Sequence, residues 1–190
     1  EQYVLCCTEQ AKQALVQEQF EVALKFLSEA EIYPDNLGEG KLYGKPENDI
    51  DYLKGCAWEG LMKKEKARSC FLKAAVGASE PVQAIFYNDP QPDKILYQGL
   101  AFYKLGMYEK GQTIFQRLIS FGIEHMDDEV HIDYFAVSLP DLLVFEVDLQ
   151  LRNRIHCEYL IALGNLGLGE FETAQRIFAE IRKKQDYHTG

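Results

Sequence analysis

The chain has 190 residues, of which 47% are hydrophobic and 26% are charged, a composition that is typical of a folded domain and excludes a disordered segment. Its formal net charge of -10 repels polyphosphates and anionic lipids, so we expect neither nucleic acid nor a membrane as a partner. No apolar run reaches the roughly 18 residues that a membrane-spanning helix needs, and the opening EQYVLCCTEQ lacks the order of a secretion signal, so we predict a cytoplasmic protein.

The first segment with a helical period covers about residues 5–33. Apolar and small side chains recur there at intervals of three and four residues, which places them on one face of each of two helices. These positions are Ala11, Ala14, Phe20, Ala23, Leu27 and Ala30. A loop from Pro34 to Pro46 follows, and it is the longest stretch without such a period.

The second segment, residues 48–76, has the clearest pattern. Two apolar stripes at helical spacing flank the short polar stretch MKKE, which predicts two helices that fold back on each other. The stripes are Tyr52, Gly55, Trp58 and Leu61, then Ala67, Phe71, Ala74 and Ala75. The small residues Gly55 and Ala67 are expected to let the two backbones approach.

Two further segments, residues 92–121 and 151–184, repeat this pattern. In the third segment Pro92 is suited to a first helical turn, and Gly106 is suited to the left-handed conformation that ends a helix. Small residues occupy equivalent positions in all four segments, and the first three are each 44 residues apart: Ala23, Ala67, Gly111 and Ala174.

The step from Gly111 to Ala174 is longer than 44 residues because an insert lies between the third and fourth segments, at residues 122–150. Its apolar part, residues 133–149, predicts a segment that packs onto the helices. Pro140 is expected to open a short helix there, and Asp148 to cap the helix that follows.

The second segment resembles a tetratricopeptide repeat (TPR). When Asn48 is counted as the first position, small or aromatic residues occupy the five positions at which that family has them: Gly55, Trp58, Ala67, Phe71 and Ala74. The third and fourth segments match less fully, with departures at Leu118, Asn165 and Ile181. The step of 44 residues also exceeds the family's 34, so each repeat carries an added connection of about ten residues.

This resemblance implies an all-α fold, a TPR-like superhelix of about four antiparallel hairpins with inserted connections. It implies one domain over residues 1–190. Residues 33–41, 86–94 and 133–157 also resemble the C-terminal repeat region of large bacterial proteins that carry an upstream β-rich domain similar to mutarotase sandwiches. With no Met at its start, the chain is expected to be a piece of such a protein, with any catalytic or sugar-binding apparatus upstream.

In TPR arrays the first helix of each hairpin lines a concave groove, and the resemblance carries those positions onto ten residues here. They are Asp49, Tyr52, Cys56, Glu59, Asp93, Tyr97, Tyr103, Lys104, His156 and Tyr159. A tyrosine-rich, net acidic groove is suited to an extended peptide or a partner helix. The alternative is that these tyrosines only pack against neighbouring hairpins or the insert.

TPR arrays that grip acidic chaperone tails need Lys, Arg and Asn at defined groove positions, and we expect no such role here. Those positions hold Thr8, Lys12, Leu53, Asp93 and Tyr97, and a single lysine cannot form the clamp.

No pattern in the chain predicts catalysis or a cofactor. Gly164, Gly167 and Gly169 only superficially resemble a dinucleotide-binding fingerprint, since they are expected to end a helix and do not follow a strand. The carboxylates Glu59, Asp93 and Asp141 have no spacing that pairs them for sugar hydrolysis. No serine has the flanking glycines of a nucleophile elbow.

We also expect no metal site. The one cluster with enough donors holds His125, Asp127, Asp128, Glu129, His131 and Asp133, and its spacing fits neither a helix face nor a known metal-binding loop. The five cysteines form no CxxC pair and are odd in number, which indicates free thiols.

The leading hypothesis is therefore a non-enzymatic module for protein–protein interaction or scaffolding, which holds a protein, a peptide or the upstream domain of its own chain. The alternative is an accessory helical domain that completes the upstream catalytic domain of a carbohydrate-active enzyme through the insert. A homodimer formed through an exposed end of the array is a further hypothesis.

Overall fold

A computed structural model describes residues 2–32, 34, 36, 38, 40, 44–82, 91–129 and 149–184. These residues form eight α-helices and no β-strand, which confirms the all-α class. The helices are α1 (Gln2–Val16), α2 (Phe20–Ala30), α3 (Asn48–Gly60), α4 (Lys64–Ala74), α5 (Pro92–Lys104), α6 (Tyr108–His125), α7 (Leu149–Leu168) and α8 (Phe171–Lys184). Over the same residues, none of these helices combines the length and apolar character needed to cross a membrane.

The helix limits follow the predicted segments with small shifts. Helix α3 begins at Asn48 and α5 at Pro92, as the sequence predicts. Helix α6 continues to His125, and α7 already begins at Leu149, so both ends of the predicted insert are helical. Residues 130–148, with the expected helix at Pro140 and cap at Asp148, lie outside the described residues.

One turn joins the two helices of every hairpin. A residue with positive φ stands two positions before the second helix, and its identity varies: Glu18 (57°), Met62 (60°), Gly106 (77°) and Gly169 (84°). The residue after it donates its backbone N–H to the carbonyl five residues back, the hydrogen bond that defines a Schellman motif. These bonds run from Gln19 to Ala14 (2.8 Å), Lys63 to Trp58 (2.8 Å), Met107 to Phe102 (2.9 Å) and Glu170 to Asn165 (2.9 Å).

The small residues of the 44-residue period hold one position relative to this turn. In each hairpin the small residue donates its backbone N–H to the carbonyl of the residue whose own N–H makes the Schellman bond. These bonds run from Ala23 to Gln19, Ala67 to Lys63, Gly111 to Met107 and Ala174 to Glu170. That bond begins the second helix of each hairpin. The period read from the sequence is therefore a period of one turn geometry.

The chain divides into two compact units. Their boundaries fall between residues 79 and 80, 92 and 93, and 111 and 112, the last of them inside α6. Unit 1 comprises Glu1–Ser79 and Asp93–Gly111, and unit 2 comprises Glu80–Pro92 and Gln112–Gly190. The expectation of a single domain over residues 1–190 stays a prediction.

In unit 1 the hairpins α1/α2 and α3/α4 pack on each other through small and aliphatic side chains. One core cluster holds the buried residues Cys7, Ala11, Leu27, Ala30, Ile50 and Leu53. A second joins α3, α4 and α5 and holds Ala67, Phe71, Ala74 and Ala101. Gly55 makes this second cluster possible, because a β-carbon there would lie 2.3 Å from the Phe71 ring.

Buried amide side chains cap helix ends, where the last carbonyls have no hydrogen-bond partner within the helix. Asn48 Nδ2 donates to the carbonyls of Ala74 (2.8 Å) and Val76 (2.7 Å), and so ties the start of α3 to the end of α4. In unit 2, Asn153 Nδ2 donates to the carbonyl of His125 (2.8 Å) and ties α7 to the end of α6. These ties are absent from the predicted pattern.

In unit 2, α7 and α8 form a hairpin, and α7 packs closely on α6. The fully buried Phe115 contacts Gly164 and Gly167 of α7, where β-carbons would lie 2.6 Å from its carbonyl oxygen and 2.3 Å from its ring. These two glycines are therefore contact points between helices. Gly169, with its φ of 84°, is the one that ends α7.

Replacement of Gly55 by Ala tests the close approach of α3 and α4. The new methyl group collides with the buried Phe71 ring, and we expect Gly55→Ala to lower the free energy of unfolding by about 1–3 kcal/mol. Urea denaturation measures the change. Gly40→Ala is the control, because a β-carbon there meets nothing within 4 Å, and we expect it to stay within about 0.5 kcal/mol of wild type. Equal effects of the two substitutions would contradict the packing described.

The five cysteines, all within the described part of the chain, are free thiols that differ in exposure. Cys157 is fully buried, and burial, reinforced by the charges of Asp128 and Glu158, raises its pKa to about 11. Cys6 is exposed, while Cys56 and Cys70 are intermediate in exposure.

Thiol alkylation tests this difference. At about pH 8 a thiol with a pKa near 11 is almost wholly protonated, so we expect Cys157 in the folded protein to react with iodoacetamide at least about 100-fold more slowly than Cys6. Peptide mass spectrometry after timed quenching gives the two rates. Denaturant should abolish the difference, and similar rates in the folded protein would show that Cys157 is not sequestered.

Candidate binding face on helices α1, α3 and α5

The first helices of three successive hairpins bring charged and aromatic side chains together in unit 1. Helices α3 and α5 both begin with an acidic residue in their first turn, Asp49 and Asp93, where a negative charge favours the helix dipole. We call this surface the α1–α3–α5 face and define it by Lys12, Asp49, Tyr52, Cys56, Asp93, Lys94 and Tyr97.

Asp49 is the most deeply buried charge of this face, with 7% of its surface exposed. Its Oδ2 lies 2.5 Å from the Lys94 ammonium. Its Oδ1 is buried and has no hydrogen-bond partner among the described residues. The same ammonium lies 3.7 Å from Asp93 Oδ2, so two carboxylates share one lysine.

The Asp93 carboxyl is the accessible member of this group, with 36% of its side chain exposed. Its partial burial raises its pKa, Lys94 opposes the rise, and the Asp49 charge adds to it. Protonation of Asp93 is thus favoured relative to an isolated aspartate, chiefly because burial disfavours its charged form.

Two tyrosines stand beside the carboxylates. The rings of Tyr52 and Tyr97 have centroids 5.4 Å apart and are tilted by 45°. Burial raises the pKa of the Tyr97 hydroxyl; Lys12 opposes this, and the charges of Asp49 and Asp93 reinforce it. Tyr52 also contacts the buried Phe71 at 5.7 Å, so its ring serves the core as well as the face.

Lys12 reaches this face from α1. Burial lowers its pKa, but hydrogen bonding to Glu9, at 2.7 Å, and the interaction with Tyr97 outweigh that effect and raise the pKa. In the sequence Lys12 was notable only as the single lysine that cannot form a chaperone-tail clamp. Its position links the first hairpin to Tyr97 of the third.

The remaining predicted residues of unit 1 extend the face toward the hairpin turns. The Lys104 ammonium pairs with Glu59, and its distance to the centroid of the Phe71 ring is 5.9 Å. Burial raises the pKa of the Cys56 thiol, and Lys104 opposes the rise. Tyr103 packs against Gly111 and contacts Tyr108 at 5.7 Å, on the side of α6.

His156 and Tyr159, the predicted groove residues of unit 2, are both buried. His156 Nε2 lies 2.8 Å from the carbonyl oxygen of Val82, and Tyr159 contacts Phe178 with an edge-on ring at 5.9 Å. Only 8% and 7% of the two residues are exposed. In the described structure their side chains pack inside unit 2, which is the alternative that the sequence left open.

The candidate metal ligands at the end of α6 are engaged in pairs. His125 Nδ1 lies 2.6 Å from Asp128 Oδ2, and Asp127 accepts a hydrogen bond from Arg154 at 2.8 Å. His131 and Asp133 lie outside the described residues. Across the part of the chain that the structure describes, no three His, Cys, Asp or Glu side chains converge as metal ligands would.

Lys94 is the residue of the α1–α3–α5 face that the sequence pattern did not indicate. It stands at a position of the first helix that the TPR groove pattern does not use, and only the approach of α5 to α3 brings it to Asp49. Asp49 and Asp93 each lie in the first turn of a first helix, but that pattern by itself does not identify the cation between them.

No protein-family model matches this chain, and no solved structure is significantly similar to it.

Removal of Lys94 tests whether the Asp49 pair is structural. Loss of the ammonium leaves a buried carboxylate without a counter-ion, so we expect Lys94→Met to lower the free energy of unfolding by about 3 kcal/mol. Urea denaturation at neutral pH measures it. Adding Asp49→Asn should recover part of the loss, because it removes the uncompensated charge.

Lys104→Met is the matched control. It breaks a pair with Glu59, whose side chain is 50% exposed, and should cost below about 1 kcal/mol. If the two lysine variants were equally stable, the burial of Asp49 would have no energetic consequence.

Proposed function

We propose that this protein is a non-catalytic interaction module built from TPR-like repeats, whose α1–α3–α5 face holds an extended peptide segment of a partner. The observation that carries the proposal is the convergence on one face of Lys12, Asp49 and Tyr97, each from the first helix of a different hairpin. First helices are the elements that line the binding groove in TPR arrays.

The repeated turn supports the TPR-like part of this proposal. Each of the four hairpins has a Schellman turn, with a small residue at the same position after it. The first three of these residues are 44 residues apart. Such regularity is typical of a repeat array. The segment at 48–76, which has the five TPR positions, forms an antiparallel hairpin in which Gly55 and Phe71 touch.

The chemistry of the face supports the binding part. Half-buried tyrosines give large contact areas at a small cost in side-chain entropy, and partly desolvated charges give specificity. The partner is either a separate protein or an upstream domain of the same longer polypeptide, and a cytoplasmic location is part of the proposal.

Selection from a random displayed-peptide library against the full chain tests this function. We expect peptides that bind saturably and whose affinity falls at least about tenfold in Tyr97→Ala, because that change removes an aromatic wall of the face. Fluorescence anisotropy with a labelled selected peptide measures the affinity. Phe171→Ala is the control: this side chain is 67% exposed and belongs to α8 of unit 2, and its loss should leave binding unchanged.

Thermal melts of both variants verify that they remain folded. A library that yields no saturable binder, or binders that tolerate Tyr97→Ala, would count against a peptide-binding role for the face.

A further inference from the structure

We propose that the peptide held by the α1–α3–α5 face presents an arginine, whose guanidinium pairs with Asp93 and packs against the tyrosine rings of the face. This inference rests on the proposed function and names the chemistry of its ligand. The charge arrangement around Asp49, Asp93 and Lys94 carries it.

The two carboxylates of the face have too few cations near them. Lys94 is the one ammonium within 4 Å of either carboxylate among the described ion pairs, at 2.5 Å from Asp49 and 3.7 Å from Asp93. The other two lysines of the region pair with other groups, Lys12 with Glu9 and Tyr97, and Lys104 with Glu59. Two carboxylates therefore face a single cation in a partly desolvated place, where an uncompensated charge costs most.

Asp49 has a carboxylate oxygen that accepts no hydrogen bond. The Asp49 residue is more than nine-tenths buried, and its Oδ1 has no hydrogen-bond partner in the described part of the chain. An ammonium carries three donors, so Lys94 can bond both oxygens of Asp49 once it is released from Asp93. A second cation at Asp93 therefore completes the pairing of both carboxylates.

Of the two carboxylates, only that of Asp93 is accessible to a ligand. Asp49 Oδ1 has no exposed surface, so a ligand cannot reach it, whereas 36% of the Asp93 side chain is exposed. We therefore place the ligand's charge on Asp93 and leave Lys94 on Asp49. Lys94 is 19% exposed and close to its preferred partner, so this assignment needs no large movement.

The groups around Asp93 favour an arginine as the cation. A guanidinium is planar, donates to a carboxylate through two parallel hydrogen bonds and stacks on aromatic faces. Asp93 offers the carboxylate, and the Tyr52–Tyr97 pair offers the aromatic rings. A lysine can supply the charge but neither the fork nor the stacking. A carboxylate would meet Asp49 and Asp93 and would be repelled.

The test uses peptides selected against the full chain and a ligand-side variant that cannot disturb folding. Each arginine-containing peptide is resynthesised with citrulline, which has nearly the same shape and no charge. The salt concentration is about 0.15 M, at which distant surface charges are screened. We expect the affinity of the peptide to fall at least about tenfold when one particular arginine is replaced by citrulline.

The protein-side arm compares Asp93→Asn with Asp127→Asn. Both remove one carboxylate charge, but Asp127 pairs with Arg154 at the end of α6 and lies outside the face. We expect Asp93→Asn to weaken the arginine peptide by at least about tenfold and to leave its citrulline analogue nearly unchanged, while Asp127→Asn changes neither.

The outcomes separate the two proposals. Peptides that lack arginine, or that tolerate both citrulline and Asp93→Asn, yet lose affinity in Tyr97→Ala, would overturn the arginine inference and leave the proposed function intact. Equal losses in Asp93→Asn and Asp127→Asn would also overturn it, since they would show a general attraction of basic peptides to an acidic protein. The absence of any saturable binder would overturn both.

Discussion

The rest of the structure depends on how each first helix ends. A left-handed residue and the backbone hydrogen bond that follows it reverse the chain within four residues, so the two helices of a hairpin must lie antiparallel and close. Closeness then restricts the side chains between them. Gly55 can have no β-carbon because the Phe71 ring lies against it, and the small residue that follows each turn stands where the second helix begins.

The same constraint places the chemistry of the α1–α3–α5 face. Because each turn fixes where a hairpin begins and ends, equivalent positions of successive first helices recur at a constant step. Asp49 and Asp93, which are 44 residues apart, both stand in the first turn of a first helix through that regularity. Asp49 shows the cost: its burial beneath the face requires Lys94, and the pairing is left incomplete at one oxygen.

Much of the helical organisation could be predicted because it is local. Pro92 at a helix start and Gly106 at a turn follow from the restricted backbone of proline and the freedom of glycine. The turns at Glu18 and Met62 were harder to predict, because an ordinary residue there adopts a left-handed conformation that costs about 1 kcal/mol and only the surrounding hairpin enforces it. Gly164 and Gly167 were expected to end a helix, whereas they lie inside α7 as contacts for Phe115.

The sequence by itself determined the all-α class, the helix limits to within a few residues and the constant step between hairpins, since periodicity, proline and small residues act over a few positions. Only the tertiary structure decided which polar groups meet. The pairs of Asp49 with Lys94 and of Asn48 with the end of α4 join residues distant in sequence, and no local pattern encodes them. It also decided burial: His156 and Tyr159 occupy groove positions by count, yet they lie in the interior because neighbouring elements cover them.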